Sequence, residues 1–262
     1  MMKNLLLILL FTLLHFQCAA AQWTVDGIPF ACRAPAHYDE NSRILVLFGG
    51  RNWPGEKTLQ TFDFNRLADR HSLFLLSPSF RDREYWEPER WSGRTLLAAV
   101  AKLEKTYRLN PQKIYLYGYS AGGQCSALFY DWMPDRVAAW AAHACGVYPF
   151  EIKHVSAPAL ITCGVRDSDR LRISRLFLYR YREAGGSLLW KTYPGGHELN
   201  PEALELARAW FDAILSGAEA GEFGEDDTML IRKEIDPEFR NPLLSPRIRR
   251  LWLQCDPKGT EP

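Results

Sequence analysis

Short apolar runs recur along the chain at residues 43–48 (RILVLF), 72–76, 114–117, 137–144, 159–163 and 188–193. Their length and their β-branched and aromatic content predict buried strands. Between them the apolar positions change to helical spacing. Residues 62–70 give a short helix, and Leu96, Leu97, Val100, Leu103 and Tyr107 form a stripe on a helix that Ser92 would cap. Residues 171–184 predict a helix stopped at Gly185-Gly186, and Asn200-Pro201 opens another with apolar residues at 203, 206, 207, 210, 211 and 214. Strand alternating with helix at this rhythm predicts a mostly parallel central sheet with helices on both faces. Before this pattern, residues 23–36 read as an antiparallel hairpin turning at Asp26-Gly27.

The two ends depart from it. Lys3, the apolar run 5–16 and Ala19-Ala20-Ala21 read as an export leader over residues 1–21, too short for a membrane span. Gln17 stands before Cys18 where a lipidation site has a small residue, which favours cleavage to a soluble chain beginning at Gln22. Residues 22–216 then suit one α/β domain, exported to the periplasm or the medium. Residues 217–262, acidic first and then proline-bearing and basic-apolar, read as an extension packed on it.

Composition removes several classes of function. Lys plus Arg is 32 against 31 for Asp plus Glu, so no net field points to nucleic acid or to an anionic membrane. The chain has six cysteines. Leaving out Cys18, the set Cys32, Cys125, Cys145, Cys163 and Cys255 is odd in number, without zinc-site spacing or a CxxC pair. Cys145 and Cys163 end consecutive strands and are either neighbours or buried thiols. No metal or organic cofactor is implied.

The chemistry concentrates at residues 113–125, KIYLYGYSAGGQC. Ile114 and Leu116 alternate with Tyr115 and Tyr117, as in a central strand covered on both faces. Gly118-Tyr119-Ser120-Ala121-Gly122 then fits G-x-S-x-G, and an apolar helical pattern follows. Strand, sharp turn and helix make the nucleophile elbow of the α/β-hydrolase fold. The turn exposes the Ser120 hydroxyl, and the Ala121 N–H at the helix start can face an oxygen that becomes negative. A serine hydroxyl needs a base, and the base needs an anion; in this fold they follow in the order serine, acid, histidine. Asp167, just beyond the strand at 159–163, is the expected acid, with Asp169 as alternative and as a cap for a helix from Arg170. His197, after Gly195-Gly196, is the expected base, because no histidine after residue 154 competes. His143 ends the strand after the elbow and is expected either to approach the pocket or to be structural. Gly49-Gly50-Arg51 follows the first buried strand, so a second oxyanion donor is the N–H of Arg51 or, one residue earlier, of Gly50. Trp53, Trp86 and Trp91 lie on loops leaving the C-terminal strand ends, where such sheets bind ligands; they are candidates for a sugar or aromatic subsite, or for core packing.

The segments at 108–115 (RLNPQKIY), 118–123 (GYSAGG), 133–139 (MPDRVAA) and 195–197 (GGH), with 35–39 (PAHYD), resemble the esterase family of polyhydroxybutyrate depolymerases, feruloyl esterases and acetylxylan esterases. The resemblance covers about residues 30–215 and leaves the tail outside. It implies a secreted carboxylic ester hydrolase with Ser120, Asp167 and His197 as triad, acting on small-molecule or polysaccharide-linked esters; Trp86 is similar to a tryptophan that members often carry. A prolyl oligopeptidase-type peptidase shares the elbow and the residue order, but usually with an added propeller or lid domain. A non-catalytic binding module is the third reading.

Overall fold

The computed structural model describes residues 21–81, 84–111, 113–218, 222–224 and 241–254. Strands β1 (Ala21–Val25) and β2 (Ile28–Arg33) form the hairpin, with Asp26 and Gly27 both at positive φ as a two-residue turn requires. Ala21, placed by the sequence at the end of the leader, already pairs with Cys32 in this hairpin. Then follow β3 (Arg43–Phe48), β4 (Leu73–Pro78), β5 (Ile114–Tyr119), β6 (Val137–His143), β7 (Ala159–Gly164) and β8 (Leu188–Tyr193). The order across the sheet is β1-β2-β4-β3-β5-β6-β7-β8. β1, β2 and β4 pair antiparallel and every later pairing is parallel.

The period-two pattern divides the core into two layers. Ile44, Val46, Ile114, Leu116, Trp140 and Ile161 face one side, covered by α3 (Gly93–Tyr107), α4 (Ala121–Trp132) and α5 (Ser168–Glu183). Leu45, Leu47, Tyr115, Tyr117, Ala141 and Leu160 face the other, under α1 (Gly55–Phe62), α2 (Asn65–Arg70) and α6 (Pro201–Leu215). Asn200 caps α6 as its sequence implies, its Oδ1 accepting from the N–H groups of Glu202 and Ala203 at 2.8 and 3.0 Å.

Three local expectations are corrected. The helix read at 62–70 is only α2, from Asn65, with Asp63 left-handed before it; Phe62 ends the preceding α1, which was otherwise missed. Its buried positions are Gly55, Thr58, Leu59 and Phe62; two of the four carry no hydrophobic signal. Gly55 is required there, because a Cβ would lie 2.3 Å from the Ser77 carbonyl oxygen. Ser92 does not cap α3: a π-type turn over Pro88–Ser92 runs directly into the helix, Ser92 is itself helical, and its buried hydroxyl has no partner among the described residues. Nor does Asp169 cap α5, which begins at Ser168 with Asp167 in the cap position and Asp169 in its first turn.

In the tail, β9 (Glu222–Gly224) pairs with β10 (Asn241–Leu243), and α7 (Pro246–Gln254) buries Ile248 and Trp252 in the layer of α6. The tail also closes the outer edge of β8. The Asn241 Oδ1 accepts the Trp190 N–H at 2.7 Å and an Arg182 N–H at 2.8 Å, while the Trp252 indole N–H donates to the Trp190 carbonyl at 2.8 Å. Side chains thus replace a neighbouring strand at a sheet edge that would otherwise invite pairing. Cys125, Cys145 and Cys163 are buried free thiols. Cys18 and Cys255 lie outside the described residues, as does the expected leader up to residue 20.

Candidate active site

Everything expected to carry chemistry leaves the C-terminal ends of the parallel strands. β5 ends at Tyr119 and α4 begins at Ala121, so Ser120 alone makes the turn, at φ 57° and ψ −119°. A non-glycine residue held there stores on the order of 1–3 kcal/mol. Two glycines and one hydrogen bond hold it. A Cβ on Gly118 would lie 1.9 Å from the Gly122 oxygen, and one on Gly122 would lie 2.1 Å from the Phe48 oxygen. The Ser120 N–H donates to the His143 carbonyl at 2.9 Å.

The closeness of Gly122 to Phe48 and Gly49 also seats the start of α4 against the end of β3. The turn Gly50–Trp53 continues directly from that contact, and the Ala121 amide, as the first residue of a helix, has no partner within it. That turn is closed by the Trp53 N–H on the Gly50 carbonyl at 3.0 Å, with Asn52 left-handed. Gly50 and Arg51, the two alternatives for the second donor, both belong to it.

The acid and base loops are bonded to one another. Val165 N–H donates to the Tyr193 carbonyl and Arg166 N–H to that of Gly195, both at 2.8 Å, extending the β7–β8 pairing past the strand ends. Gly164 permits this, since its Cβ would meet the Gly196 oxygen at 2.4 Å. Across this paired loop Asp167 Oδ2 lies 2.8 Å from His197 Nδ1, and His197 Nε2 lies 2.8 Å from Ser120 Oγ. Asp167 is buried, whereas the His197 side chain is 34% exposed. Asp169, the alternative acid, is exposed on α5. The serine, histidine and aspartate expected from sequence order therefore meet as one hydrogen-bonded chain.

Two neighbours had no catalytic role assigned in the sequence. Arg170 donates to the other oxygen of Asp167 at 3.1 Å, and its signal was the i,i+3 spacing from the acid. His143, expected near the pocket or as a structural residue, is fully buried with Nδ1 2.7 Å from Thr162 Oγ1 and Nε2 2.9 Å from the Glu198 carbonyl oxygen. Burial pushes its imidazole down to about 4. The Tyr119 ring stacks against those of both His143 and His197, 5.7 Å from each, and burial, then the charge of Asp167, raises its phenol.

The tryptophans divide. Trp53, half-buried, packs against Tyr119 at 5.7 Å and beside Gly50, with the Lys57 ammonium 4.3 Å from its ring. Trp86, also half-buried, lies under the Arg51 guanidinium at 5.9 Å and against Tyr85 at 5.2 Å. Trp91 packs edge-on against Phe80, which in turn touches Tyr85. Trp53 and Trp86 therefore border the turn with the oxyanion candidates, and Trp91 braces their support.

No protein-family model matches this chain, and no curated protein sequence matches it. Solved structures do share its fold. Poly(aspartic acid) hydrolase-1 from Sphingomonas sp. KT-1 matches with a TM-score of 0.58 at 17% identity, over 72% of this chain and 97% of that one. An S-formylglutathione hydrolase from Agrobacterium tumefaciens matches at 0.57 and 16%, over 76% and 92% of the two chains. A ferulic acid esterase matches at 0.56 and 15%, over 72% and 90%. The chain thus has the α/β-hydrolase fold, the fold of these esterases and hydrolases. Among the described residues no helix is long and apolar enough to cross a membrane.

Proposed function

We propose that this protein is a serine carboxylic ester hydrolase acting through an acyl-enzyme. The observation that carries the reading is the unbroken chain from Ser120 Oγ to His197 to Asp167, both links 2.8 Å, at a strained nucleophile turn. Kinship of fold with proteins named as esterases supports it. His197 Nε2 takes the Ser120 proton as Oγ attacks the ester carbonyl, and the Asp167 carboxylate holds the imidazole with its proton on Nδ1. The amides of Ala121 and Arg51 stabilise the oxyanion. His197 then protonates the departing alkoxide as the carbon–oxygen bond breaks. Water enters, loses a proton to His197 and attacks the acyl carbon; the bond to Ser120 Oγ breaks as His197 returns that proton to it, releasing the carboxylic acid and restoring Ser120.

For substrate we propose acetyl or feruloyl-type esters, small or carbohydrate-linked. Half-buried Trp53 and Trp86 beside the oxyanion turn suit a flat or ring-shaped group, and the family resemblance of residues 30–215 points the same way. Export is part of the proposal and is supported by the leader-like composition of residues 1–21. The peptidase alternative is the less favoured reading.

The test is Ser120→Ala against wild type on a short nitrophenyl ester, with a fluorophosphonate as a covalent probe. Labelling and hydrolysis should both vanish, the rate falling on the order of 10⁴–10⁶ with the melting temperature kept. Retention of more than about a tenth of the rate would reject the assignment of the nucleophile. An acetyl, feruloyl and hydroxyalkanoate panel then selects the acyl group.

A further inference from the structure

We infer that His143 is a positioning residue that ties the loops carrying the nucleophile, acid and base into one rigid unit. The inference rests on the proposed roles of Ser120, Asp167 and His197. His143 sits at the end of β6, between β5, which delivers the serine, and β7, which delivers the acid. Its carbonyl accepts the Ser120 N–H at 2.9 Å. Its Nδ1 lies 2.7 Å from the hydroxyl of Thr162, on β7 and a short step before Asp167. Its Nε2 lies 2.9 Å from the carbonyl oxygen of Glu198, the residue after the base. One buried residue thus bonds to the turn of the nucleophile, to the strand that leads to the acid and to the loop of the base, and its ring stacks on Tyr119, which also stacks on His197.

The partners fix the tautomer. A carbonyl can only accept, so Nε2 carries the proton toward Glu198, and Nδ1 accepts from the Thr162 hydroxyl. The Asn200 N–H also points at Nε2, at 3.4 Å; the closer carbonyl at 2.9 Å governs. Burial pushes the imidazole down to about 4, so near neutral pH the ring is uncharged and keeps this tautomer. A hydrophobic residue would fill the space and leave the Glu198 carbonyl without this donor. The loop after β8 contains Gly195 at φ 125° and Gly196, so it has little stiffness of its own with which to hold His197 at 2.8 Å from Ser120.

Conservative amides separate positioning from packing. The nitrogen of a glutamine reaches the place of Nε2, while that of an asparagine reaches only the place of Nδ1. His143→Gln therefore keeps the donor to Glu198, and His143→Asn loses it. His143→Asn should lower kcat on a nitrophenyl ester about 10- to 100-fold, as a small displacement of a catalytic group does, with KM nearly unchanged. Fluorophosphonate labelling of Ser120 should slow in parallel, and His143→Gln should stay within a few-fold of wild type. Hydrogen exchange at Glu198 and Leu199 should speed up in the asparagine variant and not in the glutamine variant. Equal losses in the two variants, or an effect on KM alone, would overturn the positioning role. Should His143→Asn not fold, Thr162→Val frees the ring on its other side and should lower kcat with KM kept; an unchanged kcat would again overturn it. A wild-type protein inert to both ester and fluorophosphonate would reject the hydrolase reading instead. The exchange contrast would then still decide the role of His143, because it needs no turnover.

Discussion

Asp167→Asn probes the site through a detail of its geometry. The substitution keeps shape and removes the negative charge, and at first sight an asparagine oxygen could still accept from His197 Nδ1. The neighbour on the other side forbids it. Arg170 donates to Oδ1 at 3.1 Å while His197 Nδ1 lies 2.8 Å from Oδ2. A guanidinium only donates, so the amide must turn its oxygen to Arg170 and its NH₂ to His197. His197 is then held with Nδ1 as acceptor and its proton on Nε2, facing a serine whose proton it can no longer take. The lost charge adds to this. A carboxylate about 4 Å from an imidazolium at an effective dielectric near 20 is worth about 4 kcal/mol, or roughly a thousandfold in rate. With the wrong tautomer included, the expected fall in kcat is about 10⁴. Steady-state hydrolysis of a nitrophenyl ester and the rate of fluorophosphonate labelling measure it. Replacing Arg170 by Met in the same chain lets the amide turn round, so the double variant should recover about tenfold or more over Asp167→Asn, despite carrying two changes. Asp169→Asn, outside the hydrogen-bonded chain, should stay within about twofold. A larger loss at 169 than at 167, or a double variant no better than the single one, would refute the reasoning.

Trp86→Ala should weaken turnover of a feruloyl-type ester by about 1–3 kcal/mol of transition-state binding and that of an acetate ester much less; equal losses together with a lower melting temperature would make Trp86 a packing residue. Asn241→Leu should destabilise the fold by about 1–3 kcal/mol in urea unfolding, because the buried Trp190 N–H and Arg182 lose the acceptor that closes the β8 edge; an unchanged midpoint would remove that role. His143 predicts a pH dependence of stability. Its folded value, about 4, lies below the ordinary 6.5, so between these values the unfolded chain binds a proton that the native state does not. Its contribution is complete above pH 6.5 and is lost as pH falls toward 4, about 3 kcal/mol in all. Asp167 raises its value and His197 lowers it, and other carboxylates add their own slopes. The measurement is therefore the difference between wild type and His143→Gln at pH 7 and pH 4.5; parallel losses in the two would exclude the buried imidazole as the cause.

The mostly parallel sheet, the elbow and the order of the proposed triad residues are legible in the sequence alone. Strands of alternating large apolar residues, such as Ile114 to Tyr117, can be read locally because each residue's face follows from its parity. Ser120 was legible because a strand that turns into a helix within one residue tolerates only glycine at 118 and 122. His197 was legible because no later histidine competes. Helix α1 was not legible: two of its four buried positions are Gly55 and Thr58, chosen by what they touch across the chain. The same holds for the choice between Asp167 and Asp169, which differ by two positions and not at all in chemistry. Only the bonding of the Val165–Arg166 loop to that of Tyr193–Gly195 brings the former to His197 and leaves the latter exposed. His143, Asn241 and Trp252 have meaning only through partners 19 to 62 positions away in the chain. Local sequence fixes which backbone a segment adopts; which polar group answers which is decided by packing, because buried donors and acceptors must be matched wherever the fold brings them.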